Sequence, residues 1–376
     1  MKTKLYLLST FIFITCAVSA QWAEPVQNYQ TLLMEDWKNN AWVNSSRSTN
    51  TYDANGHLIK TTMEEFTDGA WHEMAIMTNT LNDDGTVKET MTQSLENGSW
   101  QNVSKTIYTY NAAKLVLTAS TQMNLGDSWM DFSKMTYTYN GQNQLTNQVT
   151  QILNMLTMQL VNSDQNIYSY NSDGTENQVI SQSWNTSNEW ENAKRYTNTY
   201  NNSKKITSDL NEKWVNNAWV NDSRTSYTLN TAGLVQESTN QEWVNNAWVD
   251  SFKDNYTYNG NNEMTQIVTQ KWNTTLSQWE NDSRLTYTYG GTGVEVIESS
   301  DQSLVVYPNP FTSQITIQSK LQGIYTIEVY NASGKLINSF KTSGNSFKLN
   351  MDGLDNGIYL IKTPQNNQSI KVLKTQ

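Results

Sequence analysis

One spacing recurs nine times in this chain and limits what it can fold into. Each copy has an anchor residue, nearly always tryptophan, and a tyrosine or leucine ten residues later. The anchors, at steps of 29 to 31 residues, are Trp42, Trp71, Trp100, Trp129, Leu160, Trp190, Trp219, Trp248 and Trp279. The residues ten positions later are Tyr52, Leu81, Tyr110, Tyr139, Tyr170, Tyr200, Leu229, Tyr258 and Tyr289. A period of this length predicts a repeat architecture in which each unit packs on its neighbours.

Each copy has the pattern of a β-hairpin. Polar and apolar residues alternate with a period of two, and β-branched and aromatic types are frequent. Asparagine-rich spacers such as KNNA, between Trp37 and Trp42, predict one turn, and the Asn-Gly pair between Tyr52 and Leu58 favours a tight hairpin turn. We therefore predict an all-β fold with a long antiparallel β-hairpin repeat array of about eighteen strands in residues 21–289.

The alternation also predicts two different faces. Strict alternation places the anchor tryptophan on the same face as tyrosines eight and ten residues later, as in Trp279, Tyr287 and Tyr289. The opposite face then carries a cation five residues after seven of the anchors, at Arg47, Lys105, Lys134, Arg195, Arg224, Lys253 and Arg284. Because so wide a sheet does not stay flat, we expect a curled or spiralling sheet. Its Trp/Tyr face would point inward and its Lys/Arg face outward.

Composition excludes several function classes. The formal net charge is −10, which argues against nucleic acid as a partner. Two histidines and one cysteine cannot supply most zinc sites or Cys–His nucleophile pairs. His57 and His72 have no recurring partner, and the acid pair Asp83–Asp84 lies before Gly85 in a turn pattern. We therefore expect no enzyme activity, no metal and no cofactor.

The regular tryptophans allow two interpretations. They can be cross-strand pairs that form the core of a sheet poor in aliphatic residues. Alternatively, some lie exposed at the hairpin rims and stack on sugar rings, which would give a multivalent glycan-binding surface. The candidate stacking residues are Trp42, Trp190, Trp219, Trp248 and Trp279.

The first twenty residues are typical of a secretory signal peptide. Lys2 and Lys4 precede an apolar stretch, and Val18-Ser19-Ala20 matches a small-x-small cleavage site. The stretch is too short to span a bilayer, and no other segment is apolar enough, so we expect no transmembrane span. Cys16 is an alternative lipidation site, although Phe13-Ile14-Thr15 before it departs from the usual lipoprotein pattern.

Composition changes after the repeats. Residues 290–303 have the pattern of a linker, and tryptophan is absent from residues 304–376. The net charge is −15 over residues 21–300 and +3 over residues 301–376. Alternating stretches predict seven short strands at 304–307, 314–318, 324–330, 335–341, 346–350, 357–363 and 369–374. Seven strands in about seventy residues predict a small Ig-like β-sandwich.

This C-terminal segment resembles the type A sorting domain of the type IX secretion system of Bacteroidetes. The resemblance rests on Val306-Tyr-Pro-Asn-Pro-Phe311, Tyr325-Thr-Ile-Glu-Val-Tyr330, Leu354-Asp-Asn-Gly-Ile-Tyr-Leu-Ile-Lys362 and Lys371-Val-Leu-Lys374. The sorting-motif positions are Tyr307, Pro308, Asn309, Pro310, Gly334, Gly357 and Tyr359. The resemblance implies Sec export through the periplasm, recognition by the secretion machinery, and removal of the segment by its sortase-like peptidase. The rest of the protein would then be released or attached to a surface glycolipid.

The junction Tyr52-Asp-Ala-Asn-Gly-His-Leu58 resembles the YD repeats of the RHS family, whose hairpins wind into a spiralling β shell. This resemblance implies a winding sheet and not the toxin function of that family. Together these patterns predict an exported cell-surface or secreted non-enzymatic protein with an adhesive, scaffold or binding role. The alternative is a carbohydrate-binding protein that uses rim Trp/Tyr residues to capture polysaccharide.

Overall fold

The computed structural model describes residues 28–126, 128–289, 304–309, 311–319, 325–331, 335–344, 346–363 and 368–375. The chain divides into two compact units, residues 1–289 and 290–376, and each is described by itself. The signal peptide expected at residues 1–20 and the linker expected at 290–303 lie outside the described residues, as do the motif positions Pro310 and Gly334.

The first unit consists of eighteen antiparallel strands in chain order. Their bounds are β1 Tyr29–Lys38, β2 Ala41–Tyr52, β3 Leu58–Thr67, β4 Ala70–Leu81, β5 Val87–Glu96, β6 Ser99–Tyr110, β7 Val116–Asn124, β8 Trp129–Tyr139, β9 Leu145–Asn154, β10 Gln159–Tyr170, β11 Glu176–Trp184, β12 Trp190–Tyr200, β13 Ile206–Val215, β14 Ala218–Leu229, β15 Val235–Val244, β16 Ala247–Tyr258, β17 Met264–Asn273 and β18 Gln278–Tyr289. The all-β prediction is confirmed.

The sheet closes on itself, which corrects the expectation of an open curled or spiralling sheet. β1 pairs with β18 from Asp36↔Ser283 to Tyr29↔Tyr289, as well as with β2. The pairing shifts by the same amount in each hairpin around the ring. Thr49, seven residues after its anchor, pairs with Thr62 on β3, and Thr62 pairs with Ile76 on β4, which is five residues after the next anchor. A constant offset of two residues per hairpin tilts the strands, and tilt is what lets a sheet meet its own edge. Closure also removes both exposed edge strands.

The two rims have different turns. At the tryptophan rim, Asn39 and Asn40 both have positive φ, at 53° and 61°, which defines a two-residue type I′ hairpin turn. At the other rim, where Asn-Gly predicts a tight turn, the loop is longer. The Asp53 amide donates to the His57 carbonyl, and Asp53 Oδ1 accepts from the backbone amides of Asn55 and His57. A self-bonded Asp or Asn side chain of this kind organises the loop.

A β-bulge three residues after every anchor corrects the expected faces. The unpaired residues are Ser45, Met74, Val103, Phe132, Ser163, Ala193, Asp222, Ser251 and Asp282. One extra residue shifts the alternation by one position, so every side chain beyond it changes face. The anchor and the cation five residues later therefore share one face, here called the tryptophan face. The tyrosines eight and ten residues after the anchor lie on the opposite face, here called the tyrosine face.

The tyrosine face is the inner side of the ring. Thr136 and Thr138 on the tryptophan face are exposed, whereas Tyr137 and Tyr139, which alternate with them, are half-buried. Side chains converge on the concave side of a closed sheet and splay apart on the convex side, which explains the contrast. Eighteen strands at ~4.8 Å with a tilt of about 40° enclose a circular ring roughly 35 Å across between backbones, wider than facing side chains can fill.

A second irregularity, at the start of each returning strand, explains the tyrosine that ends the repeat. The pairing slips by one residue there, as between Thr51↔Lys60 and Tyr52↔Leu58. The hydroxyl of this tyrosine donates to a backbone carbonyl on the preceding strand, at the first residue of that strand. An example is the bond from Tyr110 on β6 to Val87 on β5, at 2.6 Å. The same bond is made by Tyr52, Tyr139, Tyr170, Tyr258 and Tyr289. The hydroxyl satisfies a carbonyl beside the slipped pairing.

The second unit contains the seven strands that the sequence predicts. They are β19 Leu304–Tyr307, β20 Gln314–Ser319, β21 Tyr325–Asn331, β22 Leu336–Thr342, β23 Ser346–Asn350, β24 Gly357–Thr363 and β25 Gln368–Lys374. They form a three-stranded sheet, β19-β20-β23, and a four-stranded sheet, β22-β21-β24-β25. Ile317 from the first sheet and Ile327 and Ile361 from the second are fully buried in one core, so the sheets pack face to face.

Candidate functional sites: the two faces of the closed sheet and the C-terminal unit

The tryptophan face carries a ladder of rings and cations, here called the cation ladder. In six copies, a lysine or arginine of one hairpin lies over the anchor tryptophan of the next, 4.5 to 5.2 Å from the ring centroid. The pairs are Arg47 on Trp71, Lys105 on Trp129, Arg195 on Trp219, Arg224 on Trp248, Lys253 on Trp279 and Arg284 on Trp42. A cation over an aromatic face is attracted by the ring quadrupole.

Carboxylates complete the ladder in four places among the described residues. Arg47, Arg195, Lys253 and Arg284 pair with Glu64, Glu212, Glu237 and Glu35, respectively. The bond that joins the two ends of the sheet, between Arg284 and Glu35, is bidentate, with nitrogen–oxygen distances of 2.6 and 2.8 Å. The seam between the first and last strands therefore uses the same contacts as the interfaces between hairpins within the array.

Four of the five candidate stacking tryptophans have a ring face covered by a cation. Trp42, Trp219, Trp248 and Trp279 lie under cations and each packs edge-to-face on the other tryptophan of its hairpin, with centroids 4.8 to 5.0 Å apart. All four rings are half-buried. The arrangement matches the cross-strand interpretation of the tryptophans, with the addition of a cation that sequence alternation had placed on the other face.

Trp190 differs from the other four candidates. It packs on Trp184 at 4.7 Å, but the preceding hairpin has Gln165 where the cation of the ladder stands. The Gln165 Nε2 donates to Gln182 Oε1 at 2.6 Å, so an amide chain replaces the Arg–Glu pair at this interface. Trp190 is the candidate whose neighbouring hairpin has an uncharged residue at the ladder position.

The tyrosine face contains a second feature that sequence reasoning missed, a set of carboxylates here called the acidic sector: Glu176, Asp209 and Asp254. They lie on β11, β13 and β16, on the inner side of the sheet. Glu176 accepts from Asn198 Nδ2 at 3.1 Å, and Asp209 accepts from the Tyr227 hydroxyl at 2.7 Å.

Neutral hydroxyl groups hold the third carboxylate. Asp254 accepts from the Ser238 hydroxyl at 3.3 Å and from the Thr269 hydroxyl at 2.7 Å. Asn198 faces Asp209 across β12–β13, and Tyr227 faces Ser238 across β14–β15, so the groups form one continuous row across seven strands.

Burial dominates the electrostatics of this row. It raises the pKa of Asp209 and of Glu176, because desolvation disfavours the charged carboxylate. Burial also raises the pKa of Tyr256 to about 12. The signal that could have revealed the sector is departure from the repeat. The residues at the position of Asp209 in the other copies are Leu32, Thr61, Thr90, Ala119, Gln148, Val179, Ser238 and Ile267.

In the C-terminal unit, the sorting-motif positions fix the first strand to the last. The Tyr307–Pro308 peptide bond is cis, and Asn309 holds β25 with two bonds, donating to the Lys371 carbonyl at 3.0 Å and accepting from the Leu373 amide at 2.8 Å. The following Phe311 is buried.

The closing motif is ordered in a similar way. Tyr359 is buried, and its hydroxyl donates to the Asp355 carbonyl at 2.8 Å. Gly357, with φ of 151°, begins β24 in a backbone conformation that residues with a Cβ rarely adopt. The two motif segments therefore fix the edge and the interior of the same four-stranded sheet.

A family comparison decides the identity of this unit. The family described as the secretion system C-terminal sorting domain matches residues 305–374. The unit is a secretion system C-terminal sorting domain. Because the sorting domain directs export, the chain is a secreted or cell-surface protein that interacts with the type IX secretion machinery. The predicted resemblance of the C-terminal segment to a type IX sorting domain is confirmed.

Comparisons for the repeat unit give likenesses without a function. Residues 240–300 match a family of unknown function, DUF3836. A DUF3836 protein from Bacteroides vulgatus is similar at 20% identity, with 23% of this chain and 90% of that chain covered and a TM-score of 0.20. A porin-like protein from Bacteroides uniformis is similar at 10% identity, with 71% and 99% covered and a TM-score of 0.36.

An assembly of TcdB2, TccC3 and Cdc42 is also similar, at 11% identity, with 88% of this chain and 22% of that chain covered and a TM-score of 0.27. No curated protein matches the chain.

The described residues contain neither a metal-binding cluster nor a membrane-spanning helix. They hold no group of three or more His, Cys, Asp or Glu side chains placed to bind one metal ion. They also hold no helix with the length and apolar character needed to cross a membrane.

Proposed function

We propose that the closed sheet is the working part of a non-enzymatic binding or scaffold protein that the sorting domain brings to the cell exterior. One observation carries this proposal: the last strand of the array pairs with the first through the same Arg–Glu and cation–ring contacts that join successive hairpins. A ring without free edges resists strand addition and exposes a fixed set of side chains on both faces.

The charges of the outer face support a structural rather than catalytic role. Arg47 and Arg284 each contact a carboxylate and a ring. Cation–ring contacts of this kind recur in six copies of the repeat, whereas a catalytic site would need a unique arrangement of acid and base. We propose further that the protein, once exported, is released or attached to a surface glycolipid after the sortase-like peptidase removes the sorting domain.

A localisation experiment tests the proposal. The full chain and a variant without residues 304–376 would be expressed in a bacterium that has a type IX secretion system. The full chain should reach the cell surface or the medium, and the truncated chain should stay in the periplasm. A truncated chain that still reaches the surface would contradict the role given to the sorting domain, and hydrolysis of polysaccharide or peptide by the purified protein would contradict the non-enzymatic role.

Carbohydrate binding is a second candidate, and the observation that favours it is the substitution of Gln165 for a cation beside Trp190. An aromatic face without a charged cover can stack on a sugar ring. A polysaccharide pull-down compares Trp190→Ala with Trp219→Ala, whose ring is covered by Arg195. Selective loss of binding in the first variant supports this candidate, and equal behaviour of the two variants refutes it.

A further inference from the structure

The acidic sector breaks the rules that the rest of the tyrosine face follows. Glu176 stands where the other eight copies have uncharged residues: Tyr29, Leu58, Val87, Val116, Leu145, Ile206, Val235 and Met264. Asp254 likewise stands where the others have Ser48, Met77, Thr106, Met135, Asn166, Tyr196, Thr225 and Leu285. Since valine or serine meets the structural need at these positions, three carboxylates within six strands require another explanation.

The sector also contains a hydrogen-bond acceptor without a donor. Asn198 is 6% exposed, and its Nδ2 is engaged by Glu176, yet its Oδ1 has no hydrogen-bond partner. Asn211, two residues after Asp209 on the same face, has an unpartnered Oδ1 as well. A buried acceptor left without a donor destabilises the fold, so both oxygens favour a ligand that donates hydrogen bonds.

The charge of the sector narrows the ligand class. Its hydrogen-bond donors identified above are the neutral side chains of Asn198, Tyr227, Ser238 and Thr269. A neutral polyol could satisfy the acceptors but would bring no positive charge to the three carboxylates. A single metal ion needs its oxygen ligands within ~2.5 Å of one point, whereas strands β11, β13 and β16 are about 10 and 14 Å apart.

From this arrangement we infer that the inner wall of the closed sheet binds a linear aliphatic polyamine, whose spaced ammonium groups meet Glu176 and Asp209 and whose chain continues along the row toward Asp254. A primary ammonium group at a chain end supplies three donors and a secondary ammonium group within the chain supplies two, each with a positive charge, and the flexible chain between them follows the row of carboxylates. The hydroxyl groups of Tyr227 and Tyr256 contact Asp209 and Ser238, so both aromatic rings lie beside the row, where a ring can attract a cation. This inference gives a ligand class to the proposed binding role and rests on it.

Isothermal titration of the purified protein with spermine tests the inference. Glu176→Val and Asp209→Ser install residues that the same positions hold in other copies, so both variants should fold. Each should bind spermine about tenfold more weakly, as loss of one charge-assisted hydrogen bond predicts. Asp131→Asn makes the same change of charge on the exposed tryptophan face and should leave the affinity within about twofold.

Three outcomes overturn the inference: no saturable spermine binding, equal weakening by Asp131→Asn, or tighter binding of a neutral oligosaccharide that Glu176→Val abolishes. Circular dichroism of each variant shows whether the fold is kept. The readout is independent of the localisation experiment, so failure of polyamine binding and failure of export are distinguishable.

Discussion

Arg284→Ala tests whether the sheet is closed. Arg284 lies on the last strand, and its guanidinium forms two bonds with Glu35 on the first strand and covers Trp42 at 4.7 Å. In an open sheet, the same arginine would lie on a free edge and its loss would cost about as much as loss of a surface ion pair, ~0.5 kcal/mol.

The closed sheet predicts a much larger effect. Glu35 is 8% exposed, so removal of Arg284 leaves a buried carboxylate without its partner. Breaking a buried pair costs about 3–5 kcal/mol, and the partial exposure of the arginine, 26%, reduces this to roughly 2–3 kcal/mol. The lost cation–ring contact adds ~0.5 kcal/mol. We expect the free energy of unfolding to fall by about 3 kcal/mol.

Urea unfolding followed by tryptophan fluorescence measures this change in the repeat unit alone, since residues 304–376 contain no tryptophan. Arg47→Ala is the matched control, because Arg47 makes the same contacts with Glu64 and Trp71 between two hairpins inside the array. The two variants should lose similar stability. A second change, Glu35→Gln, should restore part of the loss in Arg284→Ala. If Arg284→Ala costs less than about 1 kcal/mol while Arg47→Ala shows the full loss, the closure argument is refuted.

Three further predictions address single interactions in the repeat unit. Tyr110→Phe removes the hydroxyl that satisfies a backbone carbonyl, so chemical denaturation should show a loss of about 1 kcal/mol, and an unchanged midpoint would argue against this role. Asp209→Asn should stabilise the protein at pH 7 but not at acid pH. The raised pKa means that the folded state keeps its proton where the unfolded chain has lost it, so wild-type stability falls as pH rises from about 3.9 through the folded-state value. A difference between wild type and variant that does not vary with pH would contradict this. Gly85→Ala should destabilise the protein more than Gly56→Ala: both positions have φ near 85°, but a Cβ at the first would lie 2.6 Å from a histidine ring nitrogen and at the second would meet open space. Equal shifts in melting temperature would show that the histidine yields.

Much of the architecture was predictable from spacing. The ten-residue interval from Trp42 to Tyr52 corresponds to one strand, and the asparagine-rich spacers correspond to turns. The seven strands of the sorting domain were predictable from alternation, and its role from the motif around Pro308. These features are local, because strand period and turn chemistry depend on neighbouring residues.

The faces were not predictable in the same way. Strict alternation placed Arg47 opposite the tryptophans, whereas the bulge at Ser45 puts it over Trp71. A bulge is defined by the pairing of two strands, one of which has an extra residue. The residue types at Ser45 and its equivalent positions do not indicate that extra residue. The acidic sector was missed for a related reason: Glu176 and Asp209 become neighbours of one row only when successive strands align.

The sequence by itself determined the repeat period, the strands, the turns and the sorting domain of this protein, because each depends on short stretches of chain. The tertiary structure alone decided that the sheet closes, that rings and cations share its outer face, and that three carboxylates lie together inside. Closure follows from a two-residue offset repeated through nine hairpins, whose sum brings β18 back to β1, and the shared face follows from the bulge after each anchor.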